Sequence, residues 1–124
     1  MDTTTRNLFE RYQPLLEAAW MLGRETLRRS GIDSDMLPER AQFGFEPRQD
    51  PFTGEPTLNG RWAPADGQRR AQLVINADGS LMLECDLICP HPGFEGRWAE
   101  QISIWGRSAS ALKAEVSLLE QLGD

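Results

Sequence analysis

RAQLVI-NADG-SLMLECDLIC, Arg70 to Cys89, is the stretch on which the fold of this chain turns. Apolar residues alternate with polar ones on both sides of a four-residue segment rich in Asn, Asp and Gly, the pattern of two antiparallel strands joined by a tight turn. Because successive side chains of a strand point to opposite faces, Leu81, Leu83, Cys85, Leu87 and Cys89 share one side, and Met82, Glu84, Asp86 and Ile88 share the other. The leucine side is the expected core. A third strand follows as RWAEQISIWG, so the second face of this meander is expected to present Gln72, Val74, Met82, Glu84, Asp86, Ile88, Ala99, Gln101, Ser103 and Trp105.

Outward from the hairpin, Thr5 to Arg29 carries Leu8, Phe9, Tyr12, Leu15, Leu16, Ala19, Trp20, Gly23 and Leu27 at spacings of three and four, which predicts an amphipathic helix. Thr4 or Thr5 caps its start and Ser30-Gly31 ends it, with Arg28 and Arg29 at the negative end of the dipole. Pro14 either kinks this helix or opens a shorter one. QFGFE predicts a short strand with Phe43 and Phe45 on one side. Residues 46–69 read as an irregular Pro/Gly-rich excursion, in which LNGRW offers a hairpin turn. SASALKAEVSLLEQL, from Ser108, clusters Ala111, Leu112, Val116, Leu118, Leu119 and Leu122 on one side and predicts a final helix. The expected architecture is a single α+β domain over 1–124: an N-terminal helix, an antiparallel meander of three to five strands and a C-terminal helix, both helices on one sheet face.

The rarest residues, Cys85, Cys89 and His91, lie close in sequence. In a straight strand the two cysteine Cα atoms are about 13 Å apart, beyond the roughly 7 Å a disulfide spans and too far for two thiolates to share a zinc ion. No metal or cofactor is expected. Cys89 and His91 share a face at a strand exit, and an imidazole beside a thiol can create a nucleophile; the competing reading is a packed cysteine and a turn histidine. Glu100 and Glu115 offer a second constellation, because each interrupts an apolar face and two buried carboxyls can act as acid and base. Arg24, Arg28 and Arg29 read as a solvated helix end. No phosphate-cradling glycine loop or hydrolase motif is present, so no catalytic residue is assigned.

A chain of 124 residues with 40% hydrophobic and 26% charged residues can bury a core without a staple. Its net charge of −6, spread along the chain, disfavours direct nucleic-acid binding. There is no apolar run of membrane-spanning length and no secretory leader pattern, and the two cysteines read as reduced thiols, so a cytoplasmic protein is expected. Arginine in place of lysine, with Lys113 alone, points to a GC-rich bacterial or phage gene. Small size and acidity are shared with secretion chaperones, toxin-immunity proteins and phage-encoded inhibitors. The expected function is therefore a non-enzymatic protein-binding module, such as an inhibitor, immunity protein or adaptor, including a phage or mobile-element counter-defence inhibitor. It would occupy a basic surface on a partner protein through Glu84, Asp86, Met82, Ile88 and Trp105. The alternatives are a small enzyme or ligand-binding protein using the Cys/His or paired-Glu groups, and a structural subunit of a larger assembly.

Overall fold

A computed structural model of the chain describes residues 2–119. Two helices precede a six-stranded antiparallel sheet whose spatial order, β1-β2-β3-β4-β5-β6, follows the chain. The strands are β1 (Gly44–Gln49), β2 (Pro56–Trp62), β3 (Ala71–Ile75), β4 (Leu81–Pro90), β5 (Trp98–Gly106) and β6 (Lys113–Leu118).

The predicted N-terminal helix is two. α1 (Thr3–Arg11) starts at Asp2, not Thr4 or Thr5: the Asp2 carboxylate accepts the Thr5 N–H at 2.8 Å. α2 (Gln13–Arg29) restarts after Tyr12 with Pro14 in its first turn, where a missing N–H costs nothing. Pro14 thus opens a helix. At the other end Gly31, at φ 76°, lets its own N–H reach Arg28 O and the Ile32 N–H reach Leu27 O, closing the last turn as predicted.

The stripe read from sequence is the face that packs. Leu8, Leu15, Leu16, Ala19, Trp20 and Leu27 are buried with Leu58, Leu73, Ile75, Leu81, Leu83, Cys85, Leu87, Ile102 and Ile104. α1 lies over β1 and β2, and α2 over β5 and β6, so both helices cover one sheet face. Trp20, buried among them, donates its indole N–H to Pro38 O at 2.8 Å. Phe9, Phe43 and Phe45 form an edge-to-face and stacked group at the β1 margin, with centroids 5.1 and 6.1 Å apart.

Three expectations are corrected. The excursion over 46–69 is largely strand: LNGRW lies inside β2, and the hairpin turn is 50–55. Gly60 stands opposite Phe45, and a Cβ there would lie 2.7 Å from that ring, so this glycine makes room for an aromatic and is not a turn residue. The sheet has six strands, not three to five. Finally, the segment from Ser108 holds a strand in place of the C-terminal helix. Lys113, Ala114, Glu115 and Val116 alternate, and with β5 offering an unpaired edge the alternation outweighs the helical spacing. Of the predicted stripe, Leu122 lies outside the described residues.

β6 depends on Gly106, which holds φ 156° at the β5 exit; an added Cβ would sit 2.7 Å from Ala111 O and 2.9 Å from the Leu112 Cα. Gly106→Ala is expected to lower the unfolding free energy by about 2 kcal/mol, read as a fall in the urea midpoint.

Candidate functional site

With helices on one side only, the second face of the sheet is left open. The register sets its residues in rows across the strands: Arg61, Gln72, Glu84, Ser103 and Glu115 in one, Asn59, Val74, Met82, Trp105 and Lys113 in the next, Asp86, Gln101 and Ser117 in a third. Met82 is thus directly opposite both Val74 and Trp105, an apolar strip one residue wide over three central strands. All five residues predicted for partner contact lie on this face or its rim, with Met82 and Ile88 exposed and Glu84, Asp86 and Trp105 half-buried.

Glu84 and Asp86 do not stand on a bare acidic surface. They line a depression of about 300 Å³ together with Arg61, Trp62, Arg70, Gln72 and Gln101. Asp86 has a structural task there, since its carboxylate accepts the Arg70 N–H at 3.0 Å while its own N–H bonds Arg70 O at 2.8 Å. Among the described residues neither acid forms an ion pair with Arg61 or Arg70, so carboxylates and guanidinium groups face the same depression unpaired.

The far end of the face is reshaped by a bulge. Asp86 pairs with Gln101 and Cys89 with Ala99, so Leu87 and Ile88 stand opposite Glu100 alone; Glu100 is also the unpaired residue against β6. Ile88 takes φ 49°, a conformation a β-branched residue adopts at a cost of about 1–3 kcal/mol, and it is 44% exposed. The irregularity also changes β5: Ala99, expected on the open face, is fully buried, and Trp98 turns outward at 46% exposure. Leu119, whose N–H bonds Trp98 O at 2.8 Å, is exposed beside it. Trp98 and Leu119 are thus exposed apolar neighbours at this end of the sheet, where Ile88 is exposed as well. Sequence reading missed Trp98 and Leu119, because strand period alone does not reveal a bulge.

Among the described residues no hydrogen bond links Cys89 to His91, and Glu100 does not pair with Glu115. His91 is buried in the 91–97 turn, where its Nδ1 accepts the Gly93 N–H at 3.0 Å and its ring meets Phe94 edge-on at 4.9 Å. That bond leaves the proton of the neutral ring on Nε2. Burial pushes the Cys89 thiol up, against a smaller opposing effect of Arg69. Cys85 is pushed up to about 11 by burial, although Arg69 Nη2 lies 3.8 Å from its sulfur. Both thiols are held away from the nucleophilic thiolate form. Glu100 and Glu115 are both exposed, Glu100 in the bulge and Glu115 opposite Ser103 on the open face, where neither shares an interior with the other. Arg28 and Arg29 pair with Glu25 at 3.1 Å each, and Arg24 with Glu39 at 2.6 Å. Among the described residues no three of His, Cys, Asp and Glu are placed to hold a metal ion. No helix is long and apolar enough to cross a membrane among those residues.

Raised thiol pKa values have a measurable consequence. Alkylation by iodoacetamide is expected to be slow at pH 7, faster at half-buried Cys89 than at buried Cys85, and to rise about tenfold per pH unit without a plateau below pH 9. Since folded Cys85 holds its proton more tightly than the unfolded chain does, its contribution to stability is full below about pH 9 and is lost as pH rises towards 11; Cys85→Ala should flatten that alkaline loss in denaturant titrations. Comparison with protein-family models, with curated proteins and with solved structures found no match, so the reading of this site rests on its geometry.

Proposed function

We propose that this chain is a small acidic protein-binding module, of the inhibitor, immunity-protein or adaptor kind, that applies the open face of its sheet to a basic surface of a partner protein. The observation that carries this reading is the uncovered face itself: an apolar strip of Val74, Met82 and Trp105 runs beside the carboxylates of Glu84, Asp86 and Glu115. A surface with an aromatic centre and charged surroundings has the composition of interfaces, in which the apolar part contributes affinity and the charges set orientation and encounter rate.

The charges on the face are mixed. Glu84, Asp86 and Glu115 lie on β4 and β6 with Lys113 beside them, and Arg61 on β2 and Arg70 just before β3 share a depression with Glu84 and Asp86, so a partner's basic groups would have to be placed against the carboxylates and away from these cations. The bulge supports the same reading. Strain at an exposed apolar residue is retained only where the surrounding structure holds it, and it leaves Ile88 exposed at the end of the sheet where Trp98 and Leu119 are also exposed. A phage or mobile-element inhibitor is one form of this module, because carboxylates can occupy arginine clusters that otherwise hold phosphates.

With a partner captured from the native host, identified and purified, Glu84→Lys is expected to weaken binding at least about tenfold, and Trp105→Ala by a similar factor, with far-UV circular dichroism unchanged. Asp86→Asn is the milder test at its position, because the Arg70 N–H still finds an oxygen there. Unaltered dissociation constants for Glu84→Lys and Trp105→Ala would reject this face.

A further inference from the structure

The most exposed large apolar side chain among the described residues is not on the sheet face. Phe52, 94% exposed, stands at the tip of the β1–β2 hairpin in the turn DPFTGE. A phenylalanine in a loose loop can fold back over its neighbours; this one is held out. The Asp50 carboxylate accepts the N–H groups of Phe52 at 2.8 Å and Thr53 at 3.1 Å, Asp50 O accepts Gly54 N–H at 2.8 Å, and the Asp50 N–H closes the loop on Glu55 O at 2.8 Å. Thr53 Oγ1 accepts the Glu55 N–H at 3.2 Å as a fifth bond. The turn is preorganised, so seating Phe52 in a partner would cost little further ordering of the backbone.

The acids beside the turn that carries Phe52 set the chemistry of what it can meet. Asp50, Glu55 and Asp78 line a depression of about 400 Å³ between this turn and the β3–β4 turn, with Thr53, Asn76 and Ala77. Asp78 is held below the usual carboxylate range by hydrogen bonds from the Ser80 hydroxyl and N–H, at 2.6 and 2.9 Å. Anionic lipid would be repelled by such a collar.

We propose that Phe52 is an anchor that inserts into an apolar socket rimmed by lysine or arginine side chains on a partner protein, its carboxylate collar meeting that rim. The inference rests on the protein-binding reading but uses a separate surface: the tip lies at the Leu81–Gly106 end of the sheet, whereas Ile88 and Trp98 lie towards the other. The partner is thereby described as having two contact points, a basic surface for the sheet face and a basic-rimmed pocket for the tip.

The test uses the full chain with p-benzoylphenylalanine at position 52, irradiated in cells of the native host, and sequencing of the crosslinked peptide. A single protein crosslinked at apolar residues with lysine or arginine alongside is the expected result. With that protein purified, Phe52→Ala should raise the dissociation constant at least about tenfold, Phe52→Trp should stay within about threefold of the parent, and Glu55→Lys should weaken binding by an amount that shrinks in high salt. The melting temperature of Phe52→Ala should match the parent, since the ring is outside the core. Crosslinks scattered over many proteins, a crosslinked site without basic neighbours, an unchanged dissociation constant for Phe52→Ala, or Phe52-dependent binding to phosphatidylglycerol vesicles would each overturn the proposal. Glu84→Lys in the same assay separates the two surfaces: a loss there with Phe52→Ala silent sinks the anchor and leaves the sheet-face reading intact.

Discussion

The burial of one side of β4 is the constraint on which the rest of this structure depends. Leu83, Cys85 and Leu87 are fully buried and Leu81 nearly so, and β4, the longest strand, is paired on both sides. Each such side chain contributes about 1.5–3 kcal/mol on leaving water, so a slip of one residue, which would expose all four, would cost about 6–12 kcal/mol, comparable to the whole stability of an ordinary domain. Fixing that register fixes the faces of β3 and β5 through it, and those of β2 and β6 beyond them. The helices have one apolar surface to cover, and the opposite face is open as a consequence.

Arg69 shows how the open face is tied to the core behind it. Its Nε donates to Asp86 O at 2.8 Å, its Nη2 to Met36 O, and its guanidinium lies 5.2 Å from the centre of the Trp62 ring. One side chain therefore joins the 63–70 connection, β4 and the Ser34–Met36 turn, and hydrogen bonds from a charged donor contribute about 1.5–3 kcal/mol each. The Asp86–Arg70 bonds then fix the edge of the mixed-charge depression. The same cation sits near the Cys85 sulfur without activating it. Removal from water outweighs the nearby charge, which is why Cys85 behaves as a small core residue despite an arginine within reach.

The places where sequence reading and structure part have physical causes that can be named. Val116 and Leu118 belong to the helical stripe and also share a strand face, and a six-residue segment is too short for period alone to choose. The unpaired edge of β5 chooses, by supplying partners for the backbone of β6. Asn59-Gly60 is turn chemistry by composition, yet the glycine is required by the Phe45 ring on the neighbouring strand, a demand that is 15 residues away in the chain. Phe52 was legible in principle: an aromatic inside DPFTGE has turn formers on both sides and no periodic partner with which to be buried.

What the sequence determined by itself are properties of local period and composition. They are the helical stripe from Leu8 to Leu27, the β3–β4 hairpin, the α+β class, the leucine face of β4, and the placement of Glu84, Asp86 and Met82 on the other face. Side-chain direction in a regular element follows from the geometry of one chain segment, so those inferences needed nothing beyond neighbouring residues. Tertiary structure alone decided the fate of the last strand, the Leu87–Ile88 bulge that turns Trp98 outward, the exposure of Glu100 and Glu115, and the meeting of Arg61 and Arg70 with the acids of β4. Each of these depends on which backbone edge is free and which strand lies alongside, and that is a property of pairing across the sheet that no single stretch of chain contains.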